Sequence, residues 1–223
     1  MRKLLLLGVA LGTFASAGEI LTNSPAWNGT ENVTYWGSGG FISTPTYGET
    51  VTVPTDGNNI LSSFTFYISE DVFAATFRAY VQAWNGSTVT GTPLYTSPSS
   101  FTSTGLTPAY DAYTFSPNAT LTPGGVYLLY FSTIGVINPL PIVSAWGATS
   151  ADTYSGGSFW YSEQDVATSD VGVIGDLNTG SWAQIGVTDL AFSATFTSTP
   201  EPASLGLVLT GLGAMLWRAK RRG

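Results

Sequence analysis

Between residues 18 and 198 short runs rich in β-branched and aromatic residues recur between turn signals, several with apolar residues at every second position, and no stretch of that interval carries a 3.6-residue apolar period. This alternation puts successive side chains on opposite faces of a pleated strand. Residues 63–69 show it plainly: Phe64, Phe66 and Ile68 fall on one face, with Ser63, Thr65, Tyr67 and Ser69 on the other. Residues 75–84 repeat the pattern, with Phe77, Ala79, Val81 and Ala83 toward a core and Arg78, Tyr80, Gln82 and Trp84 on the opposite face. Asn85-Gly86 follows as a hairpin signal, since a two-residue type I′ turn needs positive φ at both central positions. Residues 88–90 and 93–96 are read as two short return segments. Residues 33–36, 49–53 and 110–115 are further short strands, and 142–146 and 158–161 are weaker candidates. Residues 126–134 are apolar on both faces, which predicts a central strand covered on both sides. In residues 189–197, Leu190, Phe192, Ala194 and Phe196 face inward. Residues 148–181 are rich in Gly, Ser, Thr and Asp and read as a long surface loop. Roughly ten strands in one domain predict an all-β, antiparallel two-sheet sandwich of jelly-roll-like type.

The two ends do not follow this pattern. Arg2 and Lys3, an apolar run from Leu4 to Phe14, and Ala15-Ser16-Ala17 make a secretory signal peptide with an A-x-A cleavage site at Ala15 and Ala17. Residues 1–17 are therefore assigned to the signal peptide, which addresses the chain to the Sec export machinery, and residues 18–198 to the β-sandwich domain. At the other end, Pro200-Glu201-Pro202 precedes an apolar run, residues 203–217, and then Arg218, Lys220, Arg221 and Arg222. As a helix that run spans roughly 22 Å, short of a hydrocarbon core of about 30 Å. Snorkelling of the basic side chains and local thinning cover the difference, and the cations hold that flank in the cytoplasm. Residues 199–223 are thus expected to form one C-terminal transmembrane helix with its flanking motif.

These three parts, in this order, closely resemble the PEP-CTERM sorting signal of Gram-negative bacteria. The resemblance implies recognition by an exosortase, a membrane-embedded cysteine protease that processes its substrates near the Pro-Glu-Pro motif. It implies anchoring in the inner membrane before processing, then a place in the cell envelope or outside the cell. Such systems are associated with exopolysaccharide and biofilm formation. The order of motifs in the body is also similar to a recurrent PEP-CTERM ectodomain. Ser63-Phe64-Thr65-Phe66, Tyr80 through Trp84 with Asn85-Gly86, and Gly91-Thr92-Pro93-Leu94 carry that likeness. So do Leu121-Thr122-Pro123-Gly124 with Tyr127, Tyr154-Ser155-Gly156-Gly157, and Asp189-Leu190-Ala191-Phe192.

Charge and composition narrow the function classes. Of seven Lys and Arg, six lie in the two terminal segments, so Arg78 faces thirteen acids between residues 18 and 198. An acidic body argues against nucleic acid and anionic lipid as partners. The chain has no cysteine and no histidine. Burial rather than disulfides must hold the exported fold. A Ser-His-Asp triad, a Cys-His dyad and the usual zinc sites are impossible, and carboxylate chemistry and oxygen-ligand metals remain open.

Three constellations could carry chemistry. Arg78, Tyr80, Gln82 and Trp84 form an outward strip of the type that binds sugars, an aromatic plate beside amide and guanidinium donors. A pocket near Trp146, Trp160, Tyr161 or Trp182 is an alternative location. Asp152, Glu163, Asp165, Asp170 and Asp176 form an acidic set; Asp176-Leu177-Asn178-Thr179-Gly180 resembles the opening of a calcium loop but lacks its later carboxylates and terminal Glu. Sequons at Asn28, Asn32, Asn85 and Asn118 arise easily in an Asn- and Thr-rich chain. An echo, Ala26-Trp27-Asn28-Gly29-Thr30 against Ala83-Trp84-Asn85-Gly86-Ser87, reads as two similar turns rather than a repeat.

The sequence supports an exported, non-enzymatic surface or matrix protein that binds carbohydrate, with exosortase and extracellular polysaccharide as partners and no cofactor, catalytic set or metal site assigned. A carboxylate-dependent glycan-cleaving enzyme and a purely structural matrix protein are the rival expectations.

Overall fold

Two antiparallel sheets face each other across their alternating apolar residues. The computed structural model describes residues 18–37, 44–70, 75–103, 109–136, 144–163 and 177–198, all within one unit, Gly18–Ser198. The signal peptide and the C-terminal segment lie outside the described residues. Among the described residues no helix is long and apolar enough to cross a membrane.

The strands in chain order are β1 (Glu19–Thr22), β2 (Asn32–Trp36), β3 (Thr46–Thr52), β4 (Ile60–Glu70), β5 (Thr76–Trp84), β6 (Val89–Thr96), β7 (Phe101–Thr102) and β8 (Asp111–Phe115). Then come β9 (Ala119–Thr120), β10 (Val126–Ser132), β11 (Ser144–Thr149), β12 (Phe159–Ser162), β13 (Trp182–Ala183), β14 (Asp189–Leu190) and β15 (Phe192–Thr197). The first sheet runs β1-β15-β4-β11-β14, with β2 paired to β11 and β8 and β9 paired to β4. The second runs β13-β12-β3-β10-β5-β6, with β7 paired to β5.

The period-two reading of the main strands agrees with the burial. Phe64, Phe66 and Ile68 of β4, and Phe77, Ala79 and Val81 of β5, are at most 1% exposed. Leu190, Phe192, Ala194 and Phe196 are fully enclosed. β10 sits between β3 and β5, so its neighbours occupy both edges; Phe131 points between the sheets and Tyr130 the other way. The Phe131 ring stacks on Phe77 at 4.9 Å and meets Phe66, Phe115 and Trp146 within 5.2 Å. Burying each such ring contributes about 1.5–3 kcal/mol.

Strict alternation fails at β2, where the register against β11 shifts between Ser144 and Trp146. Val33 and Trp36 are both buried although three residues apart, while Thr34 and Tyr35 are both exposed. A bulge must absorb the odd spacing. Tyr35 supplies it, with φ of 74° and its side chain 55% exposed. The Tyr47 hydroxyl donates to the Thr34 carbonyl at 2.6 Å, and the Thr44 hydroxyl donates to the Tyr35 carbonyl. Burial pushes the Tyr47 phenol up to about 12, so the hydroxyl remains a donor at any ordinary pH.

Three sequence readings change. Residues 89–96 form one strand rather than two segments, because a register shift between Val81 and Ala83 lets β6 follow β5 past the irregularity. The β5–β6 connection is a four-residue turn, Asn85 N donating to the Thr88 carbonyl at 3.1 Å, and not a type I′ turn. Only Gly86 takes positive φ there, because the Asn85 side chain caps the turn itself: Oδ1 accepts from Ser87 N at 2.9 Å and Thr88 N at 3.0 Å. Finally, residues 148–181 are not a surface loop throughout. Ala148, Thr149, Phe159, Ser162 and Leu177 are buried, and residues 154–158 dock along β3. There Thr52 Oγ1 donates to the Gly156 carbonyl at 2.7 Å, and Thr50 N donates to the Ser158 carbonyl at 2.9 Å.

Candidate functional site

On the outer face of the second sheet, β5 and β10 present Tyr80 and Tyr130 stacked at 5.0 Å and 15°. Alternation makes this inevitable once Ala79, Val81, Leu129 and Phe131 point inward. Leu177, Val89, Leu128 and Ile134 close over the tyrosines, so this face carries a small apolar cluster of its own. Three indoles rim the cluster. Trp84 ends β5, Trp160 lies on β12 and Trp182 on β13; Trp84 is 4.9 Å from Trp160 and 5.5 Å from Trp182, the latter edge-on at 89°. All three are half-buried. Trp182 Nε1 donates to the Leu177 carbonyl at 3.1 Å, which ties β13 to the turn beneath it. The indole N–H groups of Trp84 and Trp160 donate to no described residue.

The strip Arg78, Tyr80, Gln82 and Trp84 does share one face of β5, but that face is not an open sugar platform. Tyr80 is 3% and Gln82 1% exposed. Gln82 spends its amide inside the protein: Nε2 donates to the Gly91 carbonyl at 2.6 Å and to Asn178 Oδ1 at 2.8 Å, and Oε1 accepts from the Tyr130 hydroxyl at 2.7 Å. Arg78 donates to the Ser97 carbonyl at 3.2 Å. Trp84 alone of the four stands at the rim. Of the alternative aromatic set, Trp160 and Trp182 join it; Trp146 and Tyr161 belong to the inter-sheet core. The turn around Asn178 is a structural clasp for Gln82 and Gly91, and Asn178 Nδ2 also reaches the Gly91 carbonyl at 3.0 Å.

The acidic set gives no cluster. Asp152 and Glu163 are exposed; Asp165, Asp170 and Asp176 lie outside the described residues. Among the described residues no group of three or more acids could hold a metal ion.

The acids that stand out are two that the sequence reading passed over. Glu49 and Asp189 are fully buried. Glu49 alternates with Tyr47 and Val51, so it points into the inter-sheet core, where Oε2 accepts from Leu190 N at 2.8 Å. Asp189 Oδ2 accepts from Thr153 N at 2.7 Å, Tyr154 N at 3.0 Å and Thr153 Oγ1 at 3.0 Å. Glu49 Oε1 and Asp189 Oδ1 have no hydrogen-bond partner among the described residues. Burial raises the Glu49 carboxyl well above its usual range; the Leu190 N–H opposes this, and the nearby Asp189 and Asp152 charges add to it. Burial raises Asp189 too, against the pull of its Thr153 and Tyr154 donors. The signal for Glu49 was parity: it sits at an inward position of a strand whose other inward residues are Tyr47 and Val51.

Comparison with family models, with curated proteins and with solved structures found no match to this chain.

Proposed function

We propose that this chain is an exported bacterial surface or matrix protein, a jelly-roll-like sandwich that binds neutral polysaccharide without cleaving it. The observation that carries the reading is the rim of three half-buried indoles, Trp84, Trp160 and Trp182, on the outer face of the second sheet. Indole faces stack on the C–H faces of pyranose rings, and unpaired indole N–H groups donate to sugar hydroxyls. Thirteen acids against the single base Arg78 between residues 18 and 198 disfavour polyanionic glycans, so a neutral one is the better partner. We read Glu49 and Asp189 as structural acids rather than a hydrolytic pair, because a sugar cannot reach carboxyls closed off inside the sandwich. The two ends support export: the signal peptide with Ala15 and Ala17, and Pro200-Glu201-Pro202 with Arg218, Lys220, Arg221 and Arg222, are the parts an exosortase-sorted protein needs.

Affinity electrophoresis of the full chain through gels containing laminarin, pullulan, galactomannan or hydroxyethyl cellulose tests the reading. At least one polymer should retard the protein, and Trp84→Ala should relieve the retardation. Migration unaffected by every polymer would remove the glycan reading.

A further inference from the structure

The Asn-Gly turn at residues 85–88 has a counterpart on the other side of the molecule. Asn28 Oδ1 accepts from Thr30 N at 2.9 Å, Thr30 Oγ1 at 3.0 Å and Glu31 N at 2.8 Å. Asn85 Oδ1 accepts from Ser87 N at 2.9 Å, Ser87 Oγ at 3.1 Å and Thr88 N at 3.0 Å. The glycine after each Asn takes positive φ, 79° at Gly29 and 103° at Gly86. The five-residue echo is thus the same Asn side-chain cap built twice, and in each copy the residue before the Asn is a tryptophan.

Trp27 lies on the outer face of the first sheet. Its indole rests on Gly147 of β11, where an added Cβ would come within 2.6–2.9 Å of three ring atoms. Gly147 falls between the inward-facing Trp146 and Ala148, so the ring is seated against bare backbone on the solvent side of the strand. Trp27 Nε1 donates to the Glu31 carbonyl at 2.7 Å, which fixes the ring's rotation. Tyr67 approaches at 5.4 Å and Tyr110 edge-on at 4.9 Å, and all three rings are half-buried. A preorganised aromatic plate on a Ser- and Thr-rich sheet face, with phenolic hydroxyls at its edge, has the chemistry that the Trp84 rim has on the opposite face.

We propose that the Trp27–Tyr67–Tyr110 plate is a second binding site for neutral polysaccharide, so that the domain is bivalent and bridges two glycan chains. The proposal rests on the glycan reading of the Trp84 rim for its ligand class, and on the Trp27 geometry alone for the site. The sandwich lies between the two plates, so one short glycan segment cannot occupy both. Bridging follows from this placement, and it raises avidity for a polymer without any new contact.

The test uses the full chain in a detergent with no sugar headgroup, and an oligosaccharide of the polymer that retards it best. Calorimetry should give two sites per chain. Trp27→Ala and Gly147→Ala, the second of which unseats the indole while keeping it, should each leave one site, as should Trp84→Ala. Each single variant should weaken polymer binding roughly 3- to 10-fold, the worth of one aromatic contact, and abolish precipitation of the polymer by the protein. Tyr110→Ala, at the plate's edge, guards against a folding artefact: it should weaken the same site with an unchanged melting temperature. One site lost with Trp84→Ala and untouched by the Trp27, Gly147 and Tyr110 variants overturns the second site and leaves the first standing. One site lost with Trp27→Ala and untouched by Trp84→Ala assigns binding to this plate and overturns the Trp84 reading and bivalency. No site for any of the oligosaccharides overturns both.

Discussion

Glu49 crosses the interior of the sandwich and takes the N–H of Leu190 from the opposite sheet at 2.8 Å. It does so as a fully buried acid, its donor Leu190 directly follows the equally buried Asp189, and Arg78 is the only Lys or Arg between residues 18 and 198. A carboxyl enclosed without a cation is more stable protonated, and both acids shift in that direction.

The sign of the pH dependence follows. Above the ordinary carboxylate range the unfolded chain releases the Glu49 proton while the folded chain holds it. Stability contributed by the neutral form is therefore complete below the unfolded pKa and is lost as pH rises toward the folded one. Each pH unit in that window costs up to about 1.4 kcal/mol for Glu49. Melting temperature should fall from pH 5 to pH 8, and Glu49→Gln should raise it at pH 8 with little effect at pH 4. A melting temperature that climbs with pH over that interval would show that Glu49 folds as a carboxylate.

Gly157 is pressed against β3 so closely that an added Cβ would overlap the Thr50 carbonyl. The backbone there cannot retreat without breaking the bonds that residues 154–158 make to β3. Gly157→Ala should cost about 2–4 kcal/mol, whereas Gly29→Ala, with nothing within 4 Å of its Cβ position, should show only the cost of its 79° φ. Urea midpoints for the two variants decide the point.

Tyr35 carries positive φ so that Val33 and Trp36 can share the core. Tyr35→Val places a β-branched residue in that backbone conformation and should cost about 1–2 kcal/mol, while Tyr35→Gly should stay within about 1 kcal/mol of the parent. Equal losses for Val and Gly in chemical denaturation would mean that the exposed phenol, rather than the backbone, matters at this position.

For the tail, Glu201→Ala should leave the chain unprocessed in the membrane fraction, at the mass expected after signal-peptide removal alone. Deleting residues 218–223 should impair retention or processing by removing four cations. Intact mass spectrometry of each cell fraction reads both outcomes, and unchanged sorting would count against the signal.

Period-two alternation was enough to identify the inward faces of β4, β5 and the 189–197 stretch, because side-chain parity is a local property. It placed Arg78, Tyr80, Gln82 and Trp84 together correctly. It could not tell that Leu177 and the Trp182 indole pack against that face, since a sheet's outer side looks the same in sequence whether bare or covered. Glu49 was hidden for a related reason: a charged residue at an inward position reads as a strand boundary, and only the opposite sheet supplies its N–H donor. The paired turns were legible as an echo. That each seats its tryptophan on a different outer face depends on Gly147, roughly 120 residues away in the chain from Trp27.

β15 lies between β1 and β4, with Glu19 opposite Phe196 and Phe192 opposite Phe66. The strand that joins the earliest part of the domain to its longest strand is therefore made last. During synthesis the first sheet stays open until residues 192–197 have been made, three residues before Pro200. Until then β4 shows an unpaired edge along residues 60–66, which invites pairing with other chains. Closure across so long a sequence separation is intrinsically slow. Arrival of the domain's final residues is thus the event that ends its vulnerability to aggregation.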